Sequence, residues 1–207
     1  MLSWLTEHGT GLSALANIGM LFLWFAYMQL FLMSYRAQRQ PKILINRGVG
    51  RGLDARFLIS NMSAESIYVE TIIATLVDGD DRLVSTVTEP EGTNGEESEP
   101  LRQTRQGPLP SGGFMDCGSF RDVVARILRR NGRADDADPN AFSDQARLEL
   151  QVVANYGSER LLVAAKRHFA VEQHDEDIAL KPFNLDTEQL RTRSERRKLA
   201  EALDDYA

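Results

Sequence analysis

The sequence has only one cysteine, Cys117, in 207 residues. No internal disulfide can form, which excludes the small secreted domains that are stapled by disulfides. Positive charge is also in deficit, with 24 Lys and Arg against 30 Asp and Glu and a net charge of −6. Because phosphate binding needs a positive surplus, we do not expect nucleic acid to be a partner.

Charged residues are missing from one long stretch near the N-terminus. No Asp, Glu, Lys or Arg occurs between Glu7 and Arg36, and Leu, Ala, Met, Phe and Trp dominate from about residue 12 to residue 33. About 20 such residues cross the hydrocarbon core of a bilayer as a helix. The sequence therefore predicts an N-terminal segment, 1–35, with a transmembrane helix over 12–33.

A cleaved signal peptide and a buried core helix are the alternatives. A signal peptide starts with a positive region and ends at small residues. Here no Lys or Arg precedes the stretch, and bulky and basic residues follow it. A core helix of a soluble domain is seldom apolar on every face over such a length. A retained membrane anchor is favoured.

Aromatic and basic residues accompany the stretch and suggest its orientation. We expect the following residues at the span or its interfaces: Trp4, Trp24, Tyr27, Tyr35, Arg36, Arg39 and Lys42. Positive charge is retained on the cytoplasmic side, and here it follows the span. We expect a single-pass protein of a bacterial-type inner or plasma membrane, with its N-terminus outside and its C-terminal domain cytoplasmic.

Small or polar residues recur every four positions at the start of the stretch, as Gly9, Ser13 and Asn17. Such residues let helices approach closely in lipid. They are candidates for docking another membrane protein or a second copy of this chain. Two or three small residues also fall on one face by chance, and the sequence does not decide between these interpretations.

After Pro41 the hydrophobic pattern alternates with the period of a strand. Six segments fit a strand: 42–46, 54–61, 66–77, 82–88, 146–156 and 160–171. The inward phase of the third segment switches near Glu70 and Thr71, which predicts a bulge or a crossing between sheets. The predicted fold class is mainly β: the transmembrane helix and then a two-sheet antiparallel sandwich, with immunoglobulin-like topology as one option.

The remaining segments complete the predicted organisation. A basic linker over 36–41 leads to a sandwich domain over 42–174. Residues 89–113 are rich in Gly, Pro, Glu and Ser and predict a mobile loop. Residues 119–131 form a short amphipathic helix, capped by Ser119 and ended by Asn131-Gly132. A charged tail over 175–207 has the composition of a helix.

Two arginine-rich features are candidate contacts for anionic lipid or for an acidic partner. The residues are Arg121, Arg126, Arg129 and Arg130 in the helix and Arg191, Arg193, Arg196 and Arg197 in the tail. The alternatives are an ordinary helix that covers one end of the sandwich and a solvated tail. The first alternative is preferred for the helix, and the tail is left open.

Catalytic and metal-binding patterns are weak. The glycine-rich 48–52 lacks a following helix and is expected to be a turn. His168 and His174 lie in or beside charged strand ends, and Asp78-Gly79 indicates a tight hairpin turn. The Asn61-Met62-Ser63 glycosylation pattern is expected to be a plain turn. We predict no cofactor, no metal and no catalytic residue.

The sequence thus favours a membrane-anchored accessory or scaffold protein that is not an enzyme and binds a protein partner in a membrane complex. Two alternatives stay open. One is a membrane-tethered enzyme with a site near His168 and the 89–113 loop. The other is an envelope protein with its sandwich outside the cytoplasm.

Overall fold

The computed structural model describes residues 9–38, 40–87, 105–133, 143, 145–157, 162–174, 177–190, 192 and 194–197. The chain divides into two compact units, residues 1–40 and 41–207. They are described separately below.

The first unit contains one long helix, α1 (Gly9–Gln38). Its last turn includes residues 36–38, which the sequence assigned to the linker. Arg36, Ala37 and Gln38 are good helix formers, and a basic residue near a helix C-terminus is favourable for the macrodipole. The predicted start of the linker at residue 36 is therefore too early.

The second unit is a β-sandwich of two antiparallel sheets. Sheet 1 has the order β1-β2-β6 and is formed by β1 (Ile43–Arg47), β2 (Arg56–Asn61) and β6 (Phe114–Ser119). A short 3-10 helix (Gly52–Asp54) lies between β1 and β2.

Sheet 2 contains seven strands, and β3, β7 and β8 form its centre. The strands are β3 (Ile67–Asp78), β4 (Asp81–Thr86), β5 (Gly107–Leu109), β7 (Arg147–Tyr156), β8 (Val163–His174), β9 (Asp177–Pro182) and β10 (Glu188–Leu190). Strands β4 and β5 both pair with β3, while β9 and β10 both pair with β8. All of these pairings are antiparallel.

Alternating apolar side chains of both sheets fill one core. The predicted change of phase in β3 is confirmed as a β-bulge, because the register with β7 shifts between Val69 and Thr71. Beyond the bulge, Ile72, Ala74 and Leu76 point into the core and are buried. The predicted two-sheet antiparallel sandwich is confirmed, and the arrangement is consistent with an immunoglobulin-like fold.

The predicted amphipathic helix is confirmed as α2 (Phe120–Arg130). Ser119 and Asp122 form a reciprocal capping box at its start, and Gly132, with a φ of 74°, follows its end. Its apolar side chains enter the same core as the strands. It packs on β3, β4, β6 and the 3-10 helix, and it thereby continues the layer of sheet 1.

The predicted loop over 89–113 needs correction at its C-terminal end. Residues 107–109 form β5, and Leu109 is buried in the core. The strand β6 that follows was not predicted either. Gly and Pro in β5 and Asp and Gly in β6 hide the strand pattern, although an edge strand such as β5 tolerates proline. Residues 88–104 lie outside the described residues.

The predicted end of the domain at residue 174 is also too early. Strands β9 and β10 extend sheet 2 to Leu190, so part of the predicted helical tail is strand. Of the described residues after β10, only 194–197 are helical. Ile178 and Leu180 alternate into the core, but their segment is too short and too charged to stand out in the sequence.

Candidate membrane anchor and interaction surfaces

The apolar side chains of α1 are exposed along its length. Residues Gly9–Arg36 are long and apolar enough to cross a membrane, and none of that apolar window is buried inside the protein. A core helix of a soluble domain would be mostly covered. The described part of the chain therefore has one candidate membrane-spanning helix, near the N-terminus, which is consistent with a membrane anchor.

The aromatic residues of α1 are distributed unevenly. Trp24 and Tyr27 lie near the middle of the helix, with ring centroids 6.4 Å apart in an edge-to-face arrangement. Tyr35 lies near the C-terminal end and stacks on Phe31 at 6.3 Å. Of the three, only Tyr35 has the position that an interfacial aromatic residue needs. Trp4 lies outside the described residues.

The basic flank is divided between the two units. Arg36 belongs to the last turn of α1, and Arg39 lies outside the described residues. Lys42 is exposed just before β1, where its backbone N–H donates to the Ser63 hydroxyl at 2.9 Å. The orientation of the chain in the membrane stays a prediction.

The face with small residues on α1 is accessible. Ser13 and Asn17 are exposed, and a Cβ placed on Gly9 would meet no atom within 4 Å. Residues four apart lie on the same side of a helix. Gly9, Ser13 and Asn17 therefore share a side on which another helix could approach closely, and their role in docking remains a prediction.

The arginines of α2 help to hold this helix on the domain. Arg121 Nε donates to Asp54 Oδ1 at 2.6 Å, and Arg130 donates to Thr86 Oγ1 at 2.6 Å. The hydrogen bond from Arg121 keeps the pKa of Asp54 below its ordinary value. Arg126 and Arg129 also take part in interactions. These contacts support the interpretation of α2 as a cover for one end of the sandwich.

The tail arginines fall into different environments. Arg196 is buried, and its Nε donates to the Leu190 carbonyl at 3.2 Å, so it fixes the chain after β10. Arg197 is exposed. Arg191 and Arg193 lie outside the described residues. A lipid or partner contact of this group remains a prediction.

His168 pairs with a carboxylate on the outer face of sheet 2. Its Nδ1 lies 3.5 Å from Glu149 Oε2, and the two residues are direct partners across β7 and β8. Both side chains are partly exposed. A carboxylate can orient an imidazole for proton transfer, but here the pair lies on an open sheet surface. The alternative of a site near His168 and the 89–113 loop remains untested.

Several other sequence candidates have structural explanations. Cys117 is buried, which raises the pKa of its thiol to about 12. The amide of Asn61 is buried and donates to the carbonyls of Glu65 and Leu109, both at 2.9 Å. A glycan acceptor must be accessible, and this amide is not. Asn61 is the last residue of β2, so the predicted turn begins only after it.

The glycine-rich and aspartate-rich segments are both turns. Gly50 has a φ of 129°, and a Cβ there would lie 2.5 Å from the Ala55 Cα, so glycine is required where β1 turns back toward β2. Asp78 and Asp81 close the β3–β4 hairpin, and Asp81 pairs with Arg133 at 2.7 Å. Among the described residues, no group of three or more His, Cys, Asp or Glu could hold a metal ion.

One polar cluster was not predicted from the sequence. Arg167, 8% exposed, points inward from β8 and donates to the Ile45 carbonyl and the Asn46 side chain on β1. Thr187 and Gln189 from the opposite sheet hydrogen-bond the free backbone edge of β1. The sequence contains a signal for this cluster. Arg167 occupies an inward-facing position of a strand whose other inward-facing residues are apolar.

The fold and the exposed helix together define a class: β-sandwich proteins with one candidate membrane-spanning helix. No family model, no curated protein and no solved structure matches the chain. Function therefore has to be argued from the surfaces themselves.

Proposed function

We propose that this protein is a single-pass membrane-anchored accessory or scaffold protein, not an enzyme, whose sandwich binds a protein partner in a membrane complex. One observation carries the proposal: α1 exposes its apolar side chains over a length that suits a bilayer, and the sandwich is a separate compact unit. Such an exposed helix is stable in lipid and costly in water.

The charge on either side of α1 supports a cytoplasmic sandwich. Arg36 and Lys42 follow the apolar stretch, and no Lys or Arg precedes it. Translocation of positive charge is disfavoured, so the N-terminus would be outside. An envelope protein with the sandwich outside is the competing topology.

Topology is tested with cysteines introduced into the full chain. Cys117 cannot report the side, because it is buried. Asp80→Cys places a thiol on the exposed β3–β4 turn. In intact cells we expect no labelling of this variant by a membrane-impermeant maleimide until the membrane is permeabilised. Labelling of intact cells would establish the envelope topology instead.

The candidate docking face supports a partner within the membrane. Small side chains permit close helix packing, and Asn17 adds a hydrogen-bonding group that lipid cannot satisfy. A partner helix or a second copy of this chain would supply the missing contacts along Gly9, Ser13 and Asn17.

Purification from membranes in mild detergent tests this partner. We expect a stoichiometric protein with the wild-type chain, loss of that protein with Ser13→Leu or Asn17→Leu, and retention with Gly11→Leu. Gly11 serves as the matched control because it lies on the opposite side of the helix, near the same end. Recovery of the wild-type chain alone and as a monomer would refute both partner types.

A further inference from the structure

The end of the sandwich at which the chain enters β1 exposes two large apolar side chains. Met62 is 55% exposed and Phe114 is 68% exposed. The Met62 N–H donates to the Lys42 carbonyl at 2.8 Å, and Phe114 pairs with Ser60 on β2. Met62 therefore lies beside the start of β1, and Phe114 lies at the same end on the other side of β2. We call this end, which includes the turns 62–66 and 110–113, the linker end.

These side chains belong to the outer face of sheet 1. Alternate residues of a strand share a face, and Leu44, Ser60 and Phe114 form one row across the sheet. Leu44 is partly exposed on that face. We call Leu44, Met62 and Phe114, with Lys42 at their margin, the linker-end patch.

The same face becomes charged away from the linker end. Asp116 pairs with Leu58 in the next row, and Arg56 Nε donates to Asp116 Oδ2 at 2.5 Å. Apolar area is thus concentrated on the part of the face that is nearest the linker. A sheet face that only meets water, or only packs on another layer, would not need its apolar side chains gathered at one end.

Acidic charge follows the opposite distribution. The turns 62–66 and 110–113 contain a single acidic residue, Glu65. The turn at the other end of β3 contains three aspartates, and the 3-10 helix and the first turn of α2 contribute Asp54 and Asp122 at the far end of sheet 1. At that end Arg121 pairs with Asp54 and Arg133 pairs with Asp81, so the aspartates are compensated there. The low acidic content of the linker end lets it approach an anionic membrane surface.

The linker is short. Helix α1 ends at Gln38 and β1 begins at Ile43. The four residues between them span five Cα–Cα steps, at most about 18 Å when fully extended. A chain that leaves the bilayer through this linker delivers the linker end of the sandwich to the membrane surface before any other part of the domain.

We propose that the linker-end patch docks on the bilayer that holds α1. Met62 and Phe114 insert among the lipid headgroups, and the Lys42 ammonium meets anionic headgroups. Apolar side chains flanked by lysine are the chemistry of interfacial membrane contacts. This inference rests on the proposed membrane anchor, and it leaves α2 and the β3–β4 turn directed away from the lipid.

The test uses the full chain in vesicles of phosphatidylcholine and phosphatidylserine that contain nitroxide-labelled lipid. A fluorophore is attached at Ala64→Cys, which is exposed at the linker end, or at Asp80→Cys, which is exposed at the opposite end. The buried Cys117 stays unlabelled. We expect the Ala64 probe to lose most of its fluorescence and the Asp80 probe to keep it.

Charge placed in the patch separates docking from simple proximity. With the Ala64 probe, Met62→Asp combined with Phe114→Asp should clearly reduce quenching, and the quenching that remains measures the proximity imposed by the short linker. Val49→Asp changes an exposed apolar residue at the opposite end and should leave quenching unchanged. Quenching that the double substitution leaves at the wild-type level, or that never exceeds that of the Asp80 probe, overturns the proposal.

Alkaline carbonate extraction distinguishes failure of the membrane-anchor proposal from failure of the lipid-docking proposal. If the protein is stripped from the vesicles, the membrane anchor itself is wrong. If it is retained but the Ala64 probe is unquenched, the anchor stands and lipid docking is wrong. That second result is the one expected when a protein, rather than lipid, covers the patch.

Discussion

At the scale of single residues, Arg167 connects the two sheets. A buried guanidinium is costly unless its donors find acceptors. Here Nη1 and Nη2 reach the carbonyls of Ile45, Asn184 and Leu185 and the side chain of Asn46, while Nε is buried without a hydrogen-bond partner among the described residues. Burial lowers the pKa of Arg167, but an arginine stays charged at any physiological pH. The cluster therefore needs this side chain to satisfy buried carbonyl groups.

We expect Arg167→Met to lower the free energy of unfolding by about 2–4 kcal/mol, because the carbonyl groups lose their donors. Urea unfolding of the full chain in mild detergent, followed by the strand signal in circular dichroism, measures the change. Tryptophan fluorescence is unsuitable, since the only two tryptophans, Trp4 and Trp24, belong to the N-terminal unit.

The neighbouring Lys166→Met is the matched control. Lys166 points outward and pairs with Glu188 at 3.5 Å. Loss of such a partly exposed pair should cost less than about 1 kcal/mol. Equal losses for the two variants would contradict the structural role assigned to Arg167.

Cys117 gives a prediction about pH. Burial raises the pKa of its thiol to about 12, whereas an unfolded chain has a thiol pKa of about 8.5. The unfolded state therefore loses the proton first. The contribution to stability is complete below the unfolded pKa and is lost as pH rises toward 12.

Relative to Cys117→Ala, the wild-type chain should lose up to about 1.4 kcal/mol of unfolding free energy for each pH unit above pH 9. Urea unfolding of both chains at several alkaline pH values measures the difference. If the unfolding free energies of the two chains change in parallel with pH, the Cys117 thiol ionises as easily in the folded chain as in the unfolded chain.

At the scale of elements, the predictability of each segment follows from its pattern. β7 was predicted to within one residue, because its inward positions are apolar from Leu148 to Tyr156. α2 was predicted because its apolar stripe is flanked by a cap and a glycine. Strands β5, β6, β9 and β10 were missed because they are short and contain Gly, Pro or charged residues. Their strand conformation is stabilised by pairing with β2, β3 or β8, because their local propensity for it is low.

The edge of β1 gives the prediction at this scale. The Gln189 side chain bonds the N–H and the carbonyl of Ile43, at 3.1 and 2.6 Å, and Thr187 Oγ1 accepts from Ile45 N–H at 3.0 Å. Uncovered strand edges invite pairing with other chains. We expect Thr187→Val combined with Gln189→Leu to cause concentration-dependent self-association in size-exclusion chromatography.

Glu188→Leu is the control for added apolar surface, because Glu188 lies on the outer face of sheet 2 and bonds no part of β1. It should elute like the wild-type chain. If the control associates as strongly as the double variant, exposed apolar area, not the β1 edge, is the cause.

At the scale of the whole molecule, the two candidate membrane contacts differ in how far the sequence predicts them. The span is a local property, since composition over one segment decides it. The linker-end patch is not local, because β2 pairs with β6 and so brings Phe114 near Met62 from a distant part of the chain. Sequence reasoning instead offered α2 as a candidate lipid contact, while preferring a helix that covers the sandwich. In the structure Arg121 and Arg130 bond the domain itself.

The division into two units predicts that the sandwich folds without the helix. A chain of residues 41–207 should be soluble and monomeric, because its apolar core is formed from strands and α2 of this unit alone. Its urea midpoint, followed by circular dichroism, should equal that of the strand signal in the full chain. Aggregation or a lowered midpoint would mean that α1 stabilises the sandwich directly, and α1 could then not be treated simply as an anchor.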